Sequence, residues 1–132
     1  MANQIDRTIE MLEFIEARKR HEDIENVKGV LGTISNAKLE PESIDIAFAV
    51  DAYHEFSHPR EMLASIFEAT RRGGRLVLVE YRAEDPDVPI RRLHKMTEAQ
   101  ARREVEAAGF RFVENLNLLP QQHLLVFERP AE

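Results

Sequence analysis

The chain has 132 residues, 43% of them hydrophobic and 32% charged, with a formal net charge of −6 and no cysteine. This is ordinary composition for one globular domain with a real core, and it excludes disulfides and thiolate metal sites. The acidic balance argues against nucleic acid, whose phosphates call for a basic face. No apolar run approaches the roughly 18 residues of a membrane span. Met1-Ala-Asn-Gln-Ile-Asp6 has no basic region followed by an apolar stretch, so a signal peptide is not expected and a cytoplasmic protein is.

In chain order, Asn3 to about His21 has helical spacing, with Ile5, Ile9 and Leu12 on one face and Met11, Phe14 and Ile15 widening the stripe. Asn3 is the expected N-cap, with Asp6 in the first turn and Arg18, Lys19 and Arg20 suited to the last. Val27 to Leu31 predicts a short strand, and Gly32 to Ser43 a loop. Ile44 to Val50 is apolar nearly throughout, as a buried parallel strand should be. Ser57-His58-Pro59 opens a helix with proline at its first position. Met62, Leu63, Ile66 and Phe67 form its buried face, and Gly73-Gly74 is expected to stop it after Arg72. Leu76 to Val79 is a strand of four aliphatics. Arg82 to Lys95, with two prolines, predicts a long loop of the kind that is usually functional. Thr97-Glu-Ala-Gln100 is a capping-box pattern opening a helix that Gly109 ends. Phe110 to Val113 and His123 to Phe127 predict a final antiparallel pair, with Phe110, Phe112 and Phe127 in the core. The sum is an α/β protein, one domain over residues 1–132, with a mostly parallel sheet and an antiparallel tail.

His54-Glu-Phe-Ser-His58 matches the H-E-x-x-H zinc motif by letter, but that motif works only on a helix. Pro59 biases His58 away from helical angles, so the match reads as chance and no metal centre is expected; a metalloprotein through His54 and His58 is the alternative. Asp51, Tyr53 and His54 follow a parallel strand, where open α/β sheets bind ligands. A histidine there suits proton abstraction from an acceptor at neutral pH, and equally suits a backbone hydrogen bond in a tight loop. Tyr81, Arg82 and the loop through His94 lie after the next strand, on the same side. Arg91, Arg92, His94 and Lys95 could recognise an anionic acceptor, or simply be solvated with their acidic neighbours. No serine stands in a nucleophile context.

Particular words in the chain resemble a known family. Ser43-Ile-Asp-Ile-Ala-Phe-Ala-Val-Asp-Ala-Tyr-His-Glu-Phe56 resembles the fourth strand and following loop of class I S-adenosylmethionine-dependent methyltransferases. Arg72-Gly-Gly-Arg-Leu-Val-Leu-Val-Glu-Tyr81 resembles the glycine pair and fifth strand of that family, with Arg71-Arg72 in place of its usual Lys-Pro. Asp6-Arg-Thr-Ile-Glu-Met-Leu12 is similar to the end of its second strand, and the antiparallel tail is also characteristic. The resemblance implies a partial Rossmann-like methyltransferase sheet with helices on both faces, lacking the first strand, the glycine-rich loop and the helix after it. It further implies methyl transfer from S-adenosylmethionine to a small acceptor. The cofactor residues so implied are Asp6, for the ribose hydroxyls, with Gly32, Thr33 and Asp51. His54 and Tyr53 are the implied catalytic residues, and Tyr81, Arg82 and His94 the substrate residues. If the first helix starts at Asn3, Asp6 serves its terminus instead, and Met1 to Ile5 is no strand. A missing glycine loop implies weak cofactor binding or none. A missing strand bares one edge of Ile44 to Val50, which has no protective lysine or proline, so a homodimer is expected. The other-class alternative is a non-catalytic, self-associating remnant of the fold.

Overall fold

A computed structural model describes residues 1–132. The chain opens with strand β1 (Ala2–Asp6), followed by helix α1 (Ile9–His21) and strand β2 (Val27–Leu31). β1 and β2 pair in parallel, from Ala2 opposite Val27 to Asp6 opposite Leu31, as a separate two-stranded sheet. The expected helix start at Asn3 is therefore wrong, and so is the expectation that Met1 to Ile5 forms no strand. The strand is held by β2, a pairing that the helical periodicity of the first twenty residues does not reveal. Thr8, not Asn3, caps α1: its Oγ1 accepts the Met11 N–H at 3.2 Å, and Asp6 Oδ1 accepts the Thr8 N–H at 3.1 Å.

The second unit holds β3 (Ile44–Val50), α2 (Pro59–Ala69), β4 (Thr70–Arg82), β5 (Lys95–Met96), α3 (Glu98–Ala107), β6 (Arg111–Asn115) and β7 (Gln122–Glu128). The strand order is β3-β4-β7-β6, with β5 paired to the end of β4. β3 and β5 run parallel to β4, while β7 is antiparallel to both β4 and β6. This is the α/β sheet with an antiparallel tail that the sequence predicts.

α2 ends earlier than Gly73-Gly74 suggests. Thr70 is its C-cap, with Thr70 Oγ1 donating to Ile66 O at 2.7 Å, and the chain then runs directly into β4. The glycines form an irregularity inside that strand: Ile44 pairs with Thr70, but Ile46 pairs with Arg75. Gly73 takes φ +78, and a Cβ on Gly74 would stand 2.8 Å from Asp45 O, so the tight crossing of the two strands excludes a side chain. Thr97 caps α3 as expected, accepting the Gln100 N–H at 3.1 Å.

The core lies between the five-stranded sheet and helices α2 and α3. Leu76 and Leu78 from β4, and Leu125 and Phe127 from β7, meet Leu63, Ala101, Val105 and Phe110, all buried. Alternation along β4 sends every second residue into this core. By contrast, α1 has no buried residue, and Ile46, Phe48 and Val50 of β3 are 60%, 64% and 49% exposed. No helix is long and apolar enough to cross a membrane.

The two readings of the first helix separate by mutation. Thr8→Ala should cost about 1 kcal/mol in urea denaturation through loss of the cap, whereas Asn3→Ala should change stability by less than about 0.5 kcal/mol. The reverse order would contradict this account of the N-terminus.

Candidate functional site

β3 and β4 are parallel, so their carboxyl ends lie on the same side, and the segments that follow them meet there. After β3, Asp51 turns the chain with φ +50, in the left-handed region that aspartate tolerates. Its N–H donates to Val79 O at 2.8 Å, and its carboxylate accepts from Gln122 Nε2 at 2.8 and 3.0 Å. These bonds tie the turn to β4 and β7. A single 3-10 turn, Tyr53–Glu55, comes next. After β4, the loop closes with a second 3-10 turn, Arg92–His94. Between the two turns lies a pocket of about 480 Å³, lined on one side by Asp51, His54 and Glu55 and on the other by Tyr81, Arg91 and His94 with Pro89 and Ile90.

The pocket is organised by a residue the sequence reading missed. Glu80 is in phase with Leu76 and Leu78 on the inward face of β4 and is completely buried. One of its carboxylate oxygens accepts the His54 backbone N–H at 3.1 Å, and the other lies 2.6 Å from His54 Nδ1. A carboxylate only accepts, so the imidazole carries its proton on Nδ1, and Nε2 keeps a free lone pair. Burying a carboxylate is costly, and the two hydrogen bonds offset that cost only while both are made. The signal was present in the sequence as an acidic residue two positions past a buried leucine, on the same strand face. His94 Nδ1 lies 3.3 Å from His54 Nε2, and Glu55 Oε1 lies 3.9 Å from it.

Other expected site residues lie elsewhere. Tyr53 is buried in the core, edge-on to Phe56, and does not line the pocket. Burial, then the Glu104 and Glu80 carboxylates nearby, push its phenol far above the ordinary range, so it stays protonated at neutral pH. Its hydroxyl and Glu104 Oε2 are both buried without a hydrogen-bond partner. The Arg82 guanidinium donates to Leu119 O and Pro120 O at 2.9 and 3.2 Å, fastening the β6–β7 connection. Asp6, Gly32 and Thr33 cluster at the end of the β1–β2 sheet, where the Gly32 N–H donates to Asp6 O at 2.8 Å; none of the three lines the pocket. His58 precedes α2, its Nδ1 3.1 Å from Ser57 Oγ, so the H-E-x-x-H letters do not form a helical histidine pair.

Glu84, in the loop after β4, braces α3. It accepts the Glu98 N–H at 2.9 Å and meets His123 Nε2 at 2.9 Å. Partial burial pushes its carboxyl up, but the Glu98 and Glu84 N–H groups and His123 outweigh this and hold it below the ordinary range.

The profile of a family described as "Methyltransferase domain" matches residues 4–120. No curated protein matches. Among solved structures, a SAM-dependent methyltransferase from Aquifex aeolicus superposes with a TM-score of 0.88 at 17% identity, over 96% of this chain and 68% of its own. A putative type 11 methyltransferase from Sulfolobus solfataricus gives 0.77 at 15%, over 98% and 71%. The [4+2]-cyclase SpnF gives 0.81 at 12%, over 98% and 66%. At such identities the likeness shows the fold alone, and the chain spans about two thirds of the length of these proteins.

The Glu84 brace carries a pH dependence whose sign is fixed. A carboxyl held low in the folded state contributes stability above its unfolded pKa, and that contribution drains away as pH falls towards the folded value. Urea midpoints of the wild type and Glu84→Gln should therefore differ more at pH 7 than at pH 3. A gap that is the same at both pH values would show that the carboxylate charge contributes nothing.

Proposed function

The chain belongs to this methyltransferase-domain family, and from that membership we propose that its site serves methyl transfer from S-adenosylmethionine to a small-molecule acceptor in the His54 pocket. The observation that carries the reading is the buried Glu80 bonded to His54 Nδ1 at 2.6 Å. When bound, S-adenosylmethionine supplies an electrophilic methyl group on a sulfonium. The chain's own part is to hold the acceptor and remove its proton. His54 Nε2 accepts the proton of an acceptor hydroxyl or amine, and Glu80 stabilises the resulting imidazolium. Tyr81 and His94 line the acceptor's side of the pocket, and Arg91 gives it a positive charge suited to an anionic acceptor. Arg82, engaged with carbonyls, fixes the loop rather than the substrate, and Tyr53 supports the turn from within the core. The cytoplasm is the compartment this reading assumes, on the cysteine-free sequence.

Part of the cofactor's seat fits the residues present. Asp6 ends β1 with Oδ1 engaged by Thr8 and its second oxygen left to accept a ribose hydroxyl. A Cβ on Gly32 would stand 2.9 Å from Ile5 Cγ2, so glycine there lets the chain turn tightly against the end of β1, beside Asp6. Thr33 follows directly. Asp51 fits less well, because both its oxygens are taken by Gln122. No Gly-x-Gly-x-Gly loop stands within these 132 residues. Calorimetric titration of this chain with S-adenosylmethionine should give weak binding or none, and a dissociation constant of about 1–10 µM would overturn that expectation.

Self-association is the second part of the reading. β3 is paired on one side only, by β4, and Ile46, Phe48 and Val50 stand exposed along it. Met11 and Phe14 of α1 add exposed apolar surface. An unprotected edge next to an apolar face favours a two-fold partner. Light scattering should give twice 15.3 kDa, and Phe48→Asp should shift the protein to monomer. The monomer mass at every concentration would overturn the homodimer.

A further inference from the structure

We propose that His54, His94 and Glu55 form a binding site for a divalent transition-metal ion of the zinc class. The site is distinct from the H-E-x-x-H letters: it keeps His54 and Glu55, discards His58, and takes its second histidine from a turn forty residues further on. Ligand atoms of the three side chains all lie within 4.8 Å of one another. His54 Nε2 and His94 Nδ1 are 3.3 Å apart. Two nitrogens on a tetrahedral ion, each about 2.0–2.1 Å from the metal, stand about 3.3 Å from each other, so the pair already has the required spacing. Glu55 is two-thirds exposed, and His54 is its only polar partner, so its carboxylate is free to close the remaining gap. Two imidazoles and one carboxylate are a borderline-soft set that suits zinc, cobalt or nickel better than magnesium or calcium.

The second observation is the support behind the ligand. A metal-binding histidine needs its other ring nitrogen held, and a carboxylate on that nitrogen fixes the tautomer and raises ligand basicity. Glu80 does this from a fully buried position, and its bond to the His54 N–H fixes the backbone as well. The lone pair of Nε2 is thereby aimed at His94 and the pocket. Three protein ligands leave a fourth position open, and here it faces the 480 Å³ cavity. Arg91 on the same wall opposes a bare cation and favours one whose open position carries an anion or hydroxide. An ion on Nε2 would displace His54 from the role of base. It would instead lower the pKa of an acceptor hydroxyl placed in its open position. The site does not depend on methyl transfer, because its ligands are assembled without a cofactor.

The test is titration of the untagged, metal-stripped chain with Co²⁺, followed by visible absorption, and then competition with Zn²⁺. One ion per chain with tetrahedral-type bands is expected, displaced by one equivalent of zinc. His94→Ala, at a surface position, should weaken binding at least tenfold, and Glu80→Gln about 10–100-fold through the lost support. His58→Ala should leave binding unchanged. Circular dichroism establishes that each variant is folded. If Glu80→Gln does not fold, Glu55→Gln with a several-fold loss serves in its place. No binding below about 100 µM would overturn the proposal and leave a His94–His54 hydrogen bond as the reason for the 3.3 Å approach. Binding that survives His94→Ala, or disappears with His58→Ala, would overturn it equally. These outcomes are read without cofactor or acceptor, so they stand apart from the success or failure of the methyl-transfer reading.

Discussion

β4 is the element on which the rest depends. It pairs with β3 on one side and β7 on the other, and near its end with β5, so three strands are fixed by one. Its inward residues make the core as Leu76 and Leu78, and the next residue in the same phase is Glu80. The alternation that builds the core thus carries a carboxylate to the one place where the core meets the pocket. Glu80 survives there because His54 supplies two hydrogen bonds, one from backbone and one from side chain. The same two bonds give the turn after β3 its shape. Packing and chemistry share a single side chain.

Stability is unevenly distributed around that strand. The β4–β7 face, with helices α2 and α3, holds most of the buried residues, whereas α1 buries none. The β1–β2 unit stands as its own sheet, reached through the Gly32 to Ser43 loop, which rests on α2 by way of the Ala37 N–H bonded to Ser65 Oγ at 3.1 Å. A helix that packs only half-buried side chains on a two-stranded sheet belongs to the low-stability end of a structure. Asp6 and Gly32 sit in that unit, while His54 and His94 sit in the other. The two halves of the inferred chemistry therefore rest on foundations of very different strength.

The fold and the reaction remain separable questions. A chain of this architecture superposes on a SAM-dependent methyltransferase and on a [4+2]-cyclase with comparable scores. An open α/β sheet fixes where a ligand binds, at the carboxyl ends of its strands, but not what happens to it. What bears on the reaction in this chain is local: a buried carboxylate, a histidine held by it at Nδ1, and a second histidine across the pocket. The proposed proton transfer and the proposed metal binding both draw on the Nε2 lone pair of His54, so the two proposals compete for one atom.

Much of this was legible in the sequence. The runs Val27 to Leu31, Ile44 to Val50 and Leu76 to Val79, the proline-started helix, the Thr97 cap and the antiparallel tail all follow from periodicity and local turn chemistry. The first twenty residues misled for a physical reason. Apolar spacing there suits a helix throughout, and only hydrogen bonds from β2, some twenty-five residues away, pull Ala2–Asp6 into a strand. Gly73-Gly74 misled in the same way, since the close crossing with Asp45 that demands glycine belongs to another strand. Local patterning was enough for the class of fold, for the side of the sheet where a ligand is expected, and for placing His54 and His94 in its loops. That His54 meets Glu80, 26 residues away, and His94, 40 residues away, comes from the packing of distant elements. Local patterning reports which face of an element is apolar; it carries no record of which distant side chain a buried charge will find.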